Sequence, residues 1–198
     1  ADRYFITGSW RRDYAGRLPY DHNHGDFPGV TAAWKISSEK FWQPIKKTIN
    51  LLKFRASWGR IGNLGSIPMN YSAPTLNVGN TKDGNYWGLN SGEAIGSYVF
   101  NGKALNQLLT WETSEQFDVG VDIAMFNERF NLSVDYFNKN TFNLIQTQTT
   151  NWPRYMGIDA PYINQGKINN KGIEVEAGWN DTVGKNFSYY INGNFAWL

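Results

Sequence analysis

The chain has 198 residues, of which 41% are hydrophobic and 16% aromatic, and its formal net charge is +2. This balance excludes the strongly basic surface of a typical nucleic-acid-binding protein, and the absence of cysteine excludes disulfide frameworks, thiolate zinc sites and cysteine nucleophiles. A mean hydropathy of −0.52 and the lack of a run of about 18 apolar residues exclude a transmembrane helix but leave a transmembrane β-barrel open.

The first predicted element is a strand over 4–11, where apolar and polar residues alternate with a period of two. One face carries Tyr4, Ile6, Gly8 and Trp10, and the other ends in Arg11. Six further strands with the same alternation are predicted over 30–37, 52–59, 116–125, 130–136, 172–179 and 187–197. In all seven, the apolar face holds no charged residue, so we predict an all-β, antiparallel fold.

Alternation alone fits two architectures, a soluble sandwich with its apolar face inside and a transmembrane barrel with its apolar face outside. Tryptophan position favours the barrel, because indoles near strand ends would lie at the level of the lipid headgroups. The tryptophans placed in this way are Trp10, Trp34, Trp58 and Trp179.

Connection lengths favour the same architecture and predict a direction for the strands. The predicted connections cover 13–27, 38–51, 59–110, 127–129, 146–162 and 180–186. Outer-membrane barrels have tight turns on the periplasmic side and long loops outside, so strand 4–12 would run outward and strand 30–37 inward. We expect 59–110 to form a large folded extracellular loop, and 38–51 to be a periplasmic excursion with a short helical turn interrupted by Pro44.

Seven strands are too few to close a large transporter barrel, which uses about 22. We therefore expect residues 1–198 to be a segment of a larger barrel, without the plug domain.

Six segments resemble, in the same order, the barrel of SusC/RagA-like TonB-linked outer-membrane transporters of Bacteroidota. They are YFITGSWRRD (4–13), FPGVTAAWKIS (27–37), LKFRASWGRIGN (52–63), LTWET (109–113), VDYFNK (134–139) and GKINNKGIE (166–174). The resemblance implies a closed barrel with an amino-terminal plug and a segment that contacts the TonB complex. It also implies uptake of oligosaccharides or peptides together with a SusD-like surface lipoprotein.

No catalytic or metal site is predicted, and neither is a cofactor. Ser37 and Lys40 match an S-x-x-K motif whose partner motifs are missing. His22 and His24 are too few for a closed metal site, so we expect a solvated loop. Residues 80–85 resemble a calcium loop, but Lys82 replaces an acidic ligand and no terminal Glu follows at the required spacing, so we expect a turn.

Aromatic residues in the long loops are the candidate ligand contacts, because sugar rings and peptide side chains stack on exposed indole and phenol rings. The alternative is that these rings pack the loops against one another. The candidates are Tyr86, Trp87, Trp152 and Tyr155.

Charges on the polar face divide by sign along the chain, with cations on the early strands and acids on the later ones. We predict that Lys53 or Arg55 pairs with Asp118 or Asp122 across the inner wall and helps to seat the plug. The alternative is a set of solvated wall charges without specific partners.

Two other functions stay open from the residues alone. A soluble carbohydrate-binding sandwich would share the aromatic strands, and a purely structural outer-membrane barrel would share the tryptophan borders.

Overall fold

A computed structural model describes residues 3–69, 71, 76–78, 98–100, 103–153, 155, 158–184 and 186–198. Its β-strands, numbered in chain order, are β1 Tyr4–Tyr14, β2 His24–Lys35, β3 Ile49–Asn63, β4 Leu76–Val78, β5 Tyr98–Phe100, β6 Glu112–Met125, β7 Phe130–Phe142, β8 Ile145–Thr147, β9 Tyr162–Asn164, β10 Lys167–Val183 and β11 Phe187–Trp197. Short 3₁₀ turns cover Tyr20–His22, Ile36–Ser38 and Lys40–Trp42.

One antiparallel sheet in the order β1-β2-β3-β6-β7-β10-β11 contains all seven predicted strands. The two small sheets, β4-β5 and β8-β9, lie in the connections between the long strands. No helix within the described ranges is long and apolar enough to cross a membrane.

The register of the sheet places apolar residues beside one another from the first strand to the last. Because side chains alternate between faces, a continuous apolar row shows that all strands turn the same face outward. One such row is Tyr4, Trp34, Phe54, Val121, Val134, Val175 and Phe195.

The apolar face of this sheet is not the core of the described structure. Ile6 is 81% exposed and Phe195 67% exposed, whereas the buried cluster includes Leu18, Ile67 and Leu109 in the connections. A soluble sandwich would require a second sheet packed on the apolar face, and none is present among the described residues. An exposed apolar surface of this kind needs lipid or another apolar partner.

The height of the apolar face matches a membrane. In β6 the alternation runs from Phe117 to Met125, which is about 27 Å of strand at about 3.4 Å per residue. A strand tilt of about 40° reduces this to a height of about 21 Å, close to the apolar band of about 25 Å in outer-membrane barrels.

The four tryptophans lie at the two borders of this face, as predicted. Trp34 and Trp179 are near the ends that connect through 36–48 and 184–186, and Trp10 and Trp58 are toward the opposite ends. At the latter border each indole lies under a guanidinium, that of Arg12 at 5.3 Å from Trp10 and that of Arg60 at 5.6 Å from Trp58.

The described parts of connections 15–23, 64–111 and 143–166 lie at one end of the sheet, and those of 36–48, 126–129 and 184–186 lie at the other. The predicted excursion before β3 does contain 3₁₀ turns, at Ile36–Ser38 and Lys40–Trp42. In the tight turn after β6, Phe126, Asn127 and Glu128 all have positive φ, and the side chain of Asn50 accepts hydrogen bonds from the backbone N–H groups of Asn127 and Glu128.

Several predicted boundaries are wrong. β1 ends at Tyr14 and β2 begins at His24, so the predicted connection 13–27 is only 15–23. Residues 59–63 of the predicted loop 59–110 belong to β3. Beyond the lipid a strand no longer needs an apolar face, while its hydrogen-bonded ladder continues. The hydrophobic alternation therefore predicts the part of each strand that faces lipid and misses the remainder.

Candidate functional site: the interior face and the outer connections

Arg55 is the centre of a hydrogen-bonded charge network on the polar face. The register places Arg55 beside Gly120 on β6, and Gly120 beside Asp135 on β7. The guanidinium donates to Asp122 Oδ1 at 3.2 Å, to Asp135 Oδ2 at 2.6 Å and to Ser133 Oγ at 3.0 Å. One arginine thus joins two carboxylates on two strands, and charge-assisted bonds of this kind are the stronger ones in proteins.

Gly120 makes this arrangement possible. A Cβ atom at this position would collide with Asp135 Oδ1 and would lie 3.0 Å from Arg55 Cζ. The missing side chain therefore provides the space through which the guanidinium crosses from β3 to β7.

The predicted pairs are partly present. Lys53 Nζ lies 3.8 Å from Asp122 Oδ2, and Arg55 Nε lies 3.2 Å from Asp122 Oδ1. Asp118 instead accepts hydrogen bonds from Ser57 Oγ at 3.0 Å and from Gln116 Nε2 at 2.7 Å. Whether these groups seat a plug stays a prediction.

Sequence reasoning missed Asp135, Ser133 and Gly120. The alternation does place all three on the polar face, but it does not give the strand register that brings them to Arg55.

Three other charges on this face, Lys35, Glu174 and Glu176, form no ion pair within the described residues. Lys35 lies directly opposite Lys53, and Glu174 lies directly opposite Asp135. Like charges in adjacent positions repel each other unless a third group or water separates them. Cations therefore predominate on this face at β2 and β3 and acids at β7 and β10, and Arg55 joins the two regions.

The described parts of connections 15–23, 64–111 and 143–166, called here the outer connections, form a layer with its own core, which contains Leu18, Leu64, Ile67, Tyr71, Leu109 and Ile145. Hydrogen bonds tie the three connections together. Arg17 donates to the carbonyl of Ile67 at 2.8 Å, and the Asn164 side chain donates to the carbonyl of Thr110 at 2.9 Å while accepting from the Thr110 N–H at 2.8 Å. The described parts of the three connections are thus packed into one layer at this end of the sheet, which is called here the platform.

Phe27 anchors this platform to the sheet. It is 6% exposed, and its ring meets Trp111 edge to face with centroids 5.4 Å apart. A Cβ atom at either Gly25 or Gly62 would strike the Phe27 ring, so both glycines leave the space that it occupies.

The predicted loop aromatics do not form one group in the described residues. Trp152 is partly buried, and its indole N–H donates to the carbonyl of Ile158 at 2.9 Å. Tyr155 is 91% exposed. Tyr86 and Trp87, together with the calcium-like segment 80–85, lie outside the described residues.

The described residues do not bring together the groups of a catalytic site or of a metal site. Ser37 is 2% exposed, and no group of three or more His, Cys, Asp or Glu residues among the described ones is close enough to hold a metal ion. The ring of His24 lies 5.9 Å from that of Tyr14.

A buried carboxylate marks the opposite end of the sheet. Glu39 is 9% exposed and accepts hydrogen bonds from Tyr4 Oη at 2.8 Å, Trp34 Nε1 at 3.3 Å and Arg3 at 3.1 Å. The Tyr4 hydroxyl is the main cause that lowers the pKa of Glu39 below its ordinary value of 4.5.

An antiparallel sheet with a lipid-height apolar face, tryptophan borders and a charged opposite face is the wall of a transmembrane β-barrel. The model of the family described as TonB dependent receptor-like, beta-barrel matches residues 1–198. The chain therefore belongs to the TonB-dependent receptor β-barrel family, as its sequence predicts, and it is an outer-membrane protein.

Relatives of known sequence agree with this assignment. TonB-dependent receptor P3 of Formosa agariphila is 30% identical over 99% of this chain and 18% of its own length. TonB-dependent receptor SusC of Bacteroides thetaiotaomicron is 27% identical over 99% of this chain and 19% of its own length. The chain thus spans about one fifth of the length of these curated relatives.

Solved structures show the same fold. The RagAB peptide importer in its open-open state superposes with a TM-score of 0.78 at 23% identity, over 98% of this chain and 20% of that one. The siderophore receptor PirA of Pseudomonas aeruginosa superposes with a TM-score of 0.51 at 16% identity, over 98% of this chain and 31% of that one. The seven strands are therefore part of a larger barrel wall, and the sandwich alternative is excluded.

Proposed function

We propose that the chain is part of the wall of an outer-membrane importer that takes up oligosaccharides or peptides, driven by the TonB complex. A SusD-like surface lipoprotein binds at the outer mouth and delivers the cargo. The proposed activity is transport without catalysis.

The observation that carries the proposal is the division of the polar wall. A barrel with a purely structural role needs only a filled or wet interior. In the described part of this wall, by contrast, Lys35 on one side of Arg55 and Glu174 and Glu176 on the other form no ion pair. Such a surface is complementary to a charged partner inside the barrel, and a removable plug is a partner of this kind.

The relatives support the same proposal. The RagAB structures are described as a peptide importer, and SusC as a TonB-dependent receptor. The platform of outer connections supplies the surface on which a lipoprotein partner would rest, and it has a buried core instead of separate loops.

Gene deletion tests the proposal. Loss of the full-length receptor is expected to abolish uptake of at least one labelled oligosaccharide or peptide from a panel. The wild-type gene should restore uptake, whereas a form without the segment that contacts TonB should not. If the wild type produces the protein abundantly and the deletion strain still takes up every ligand of the panel, the structural barrel would be favoured.

Two outer residues refine the test of cargo contact. If the exposed ring of Tyr155 stacks on cargo, Tyr155→Ala should weaken uptake at unchanged receptor abundance. Trp152→Phe keeps a ring but removes the bond to Ile158, so it reports on loop packing. Equal uptake by both variants and the wild type would exclude these two positions as cargo contacts.

A further inference from the structure

Residues 36–48 connect β2 to β3 and are called here the inner connection. It lies at the end of the sheet opposite the platform, which is the periplasmic end when the long connections face outward. Its start is fixed, because Ile36 and Ser37 are 8% and 2% exposed.

The inner connection folds toward the lipid-facing side of the wall. Its Glu39 carboxylate accepts hydrogen bonds from Tyr4 and Trp34, whose stacked rings, 6.2 Å apart, belong to the apolar row. Bonds to these two side chains bring the connection against the outer surface of the barrel. A connection that covered the interior would have to contact the opposite face.

The middle of this connection, which begins two residues after Glu39, exposes apolar side chains. Phe41 is 64% exposed and Ile45 44% exposed. They are held in place because the Trp42 indole donates to the carbonyl of Ile49 at 3.2 Å, and the Lys46 N–H donates to the carbonyl of Trp42 at 3.1 Å. Exposed apolar side chains that follow a contact with a lipid-facing surface are suited to the boundary between headgroups and acyl chains.

Positive charge predominates in the same segment. Lys40, Lys46 and Lys47 are exposed, and among the described residues none of them forms an ion pair. The single acid, Glu39, is already bonded to Arg3. Exposed lysines beside a lipid boundary attract phosphate-bearing headgroups.

We propose that the inner connection is a binding site for anionic phospholipid in the periplasmic leaflet of the outer membrane. Phe41 and Ile45 enter the acyl-chain boundary, and the three lysines contact the lipid phosphates. The site fixes the depth of the barrel wall at its inner border. It rests on the membrane location of the chain and is independent of the transported cargo.

Fluorescence in a bilayer tests the apolar part. The full-length receptor carrying Phe41→Trp is placed in nanodiscs whose lipids are brominated near the headgroup, and wild-type emission is subtracted. The matched control is Tyr20→Trp, because Tyr20 is 88% exposed in connection 15–23 at the opposite end.

We expect the added emission at 41 to be quenched by brominated lipid and protected from aqueous iodide, with the reverse result at 20. Equal lipid quenching at both positions would overturn the proposal. Emission at 41 that is not quenched by brominated lipid would also overturn it. If that emission were also not quenched by iodide, the segment would be covered by a protein partner instead of lipid.

Lipid retention tests the charged part. Replacing Lys40, Lys46 and Lys47 with Gln should lower the ratio of anionic to zwitterionic phospholipid retained by the purified receptor by about fivefold or more, since one lysine near an anionic surface is worth about that factor. The matched control is Lys139→Gln, which lies on β7 outside the inner connection. An unchanged ratio in the triple variant would overturn the assignment of the lysines to lipid phosphate.

Discussion

Replacing Arg55 with Met is expected to destabilise the barrel by about 2 kcal/mol. An exposed ion pair contributes at most about 1 kcal/mol, whereas removing one partner of a fully buried pair costs about 3–5 kcal/mol. The carboxylates that would lose the guanidinium, Asp122 and Asp135, have side chains 27% and 24% exposed, so the expected cost lies between these limits. A loss of about 2 kcal/mol raises the unfolding equilibrium constant about 30-fold.

The assay is denaturant unfolding of the full-length receptor in detergent, followed by tryptophan fluorescence. Lys35→Met is the matched control, because Lys35 lies in the same wall, faces Lys53, and has no ion pair among the described residues. Its free energy of unfolding should stay within about 0.5 kcal/mol of the wild type. Adding Asp122→Asn and Asp135→Asn to Arg55→Met should recover most of the loss, because it removes the carboxylates left without a cation.

Two results would refute this reasoning. Equal effects of Arg55→Met and Lys35→Met would mean that the network contributes no more than an isolated wall charge. A triple variant less stable than Arg55→Met would mean that the carboxylates do not destabilise the barrel when the guanidinium is removed.

Three further variants test other parts of the structure in the same unfolding assay. Gly120→Ala should lower stability by about 1–3 kcal/mol, because its Cβ would collide with Asp135, whereas Gly8→Ala, with nothing within 4 Å, should be close to neutral. Phe27→Ala should cost about 3 kcal/mol, since it leaves a void under the platform at a side chain only 6% exposed, and an unchanged midpoint would contradict the anchoring role. The lowered pKa of Glu39 means that its stabilising effect is present above about pH 4.5 and is lost as the pH falls through the lowered value. Between about pH 6 and pH 3 the wild type should therefore lose more stability than Glu39→Gln, and parallel pH curves would argue against this contribution.

The sequence predicts the membrane-facing part of the fold well, because lipid imposes a simple rule on it. Every second residue of a lipid-facing strand must be apolar, so the faces beginning at Tyr4 and at Phe130 can be identified without any knowledge of strand pairing. The rule ends where lipid ends. Residues 13–14 and 24–27 extend β1 and β2 without it, and the sequence therefore places them in a loop.

The interior network is predicted only in part, for a different reason. A polar face shows that Arg55 and Asp122 share a surface, but a contact between them depends on the register of β3 against β6. That register could have been narrowed from the residues. A large guanidinium that must reach Asp135 across an intervening strand requires a position without a side chain, and Gly120 is the glycine on that face of β6 that meets this requirement. A glycine inside a charged strand face is therefore a signal for cross-strand pairing, and in this wall it marks where the cationic and acidic regions meet.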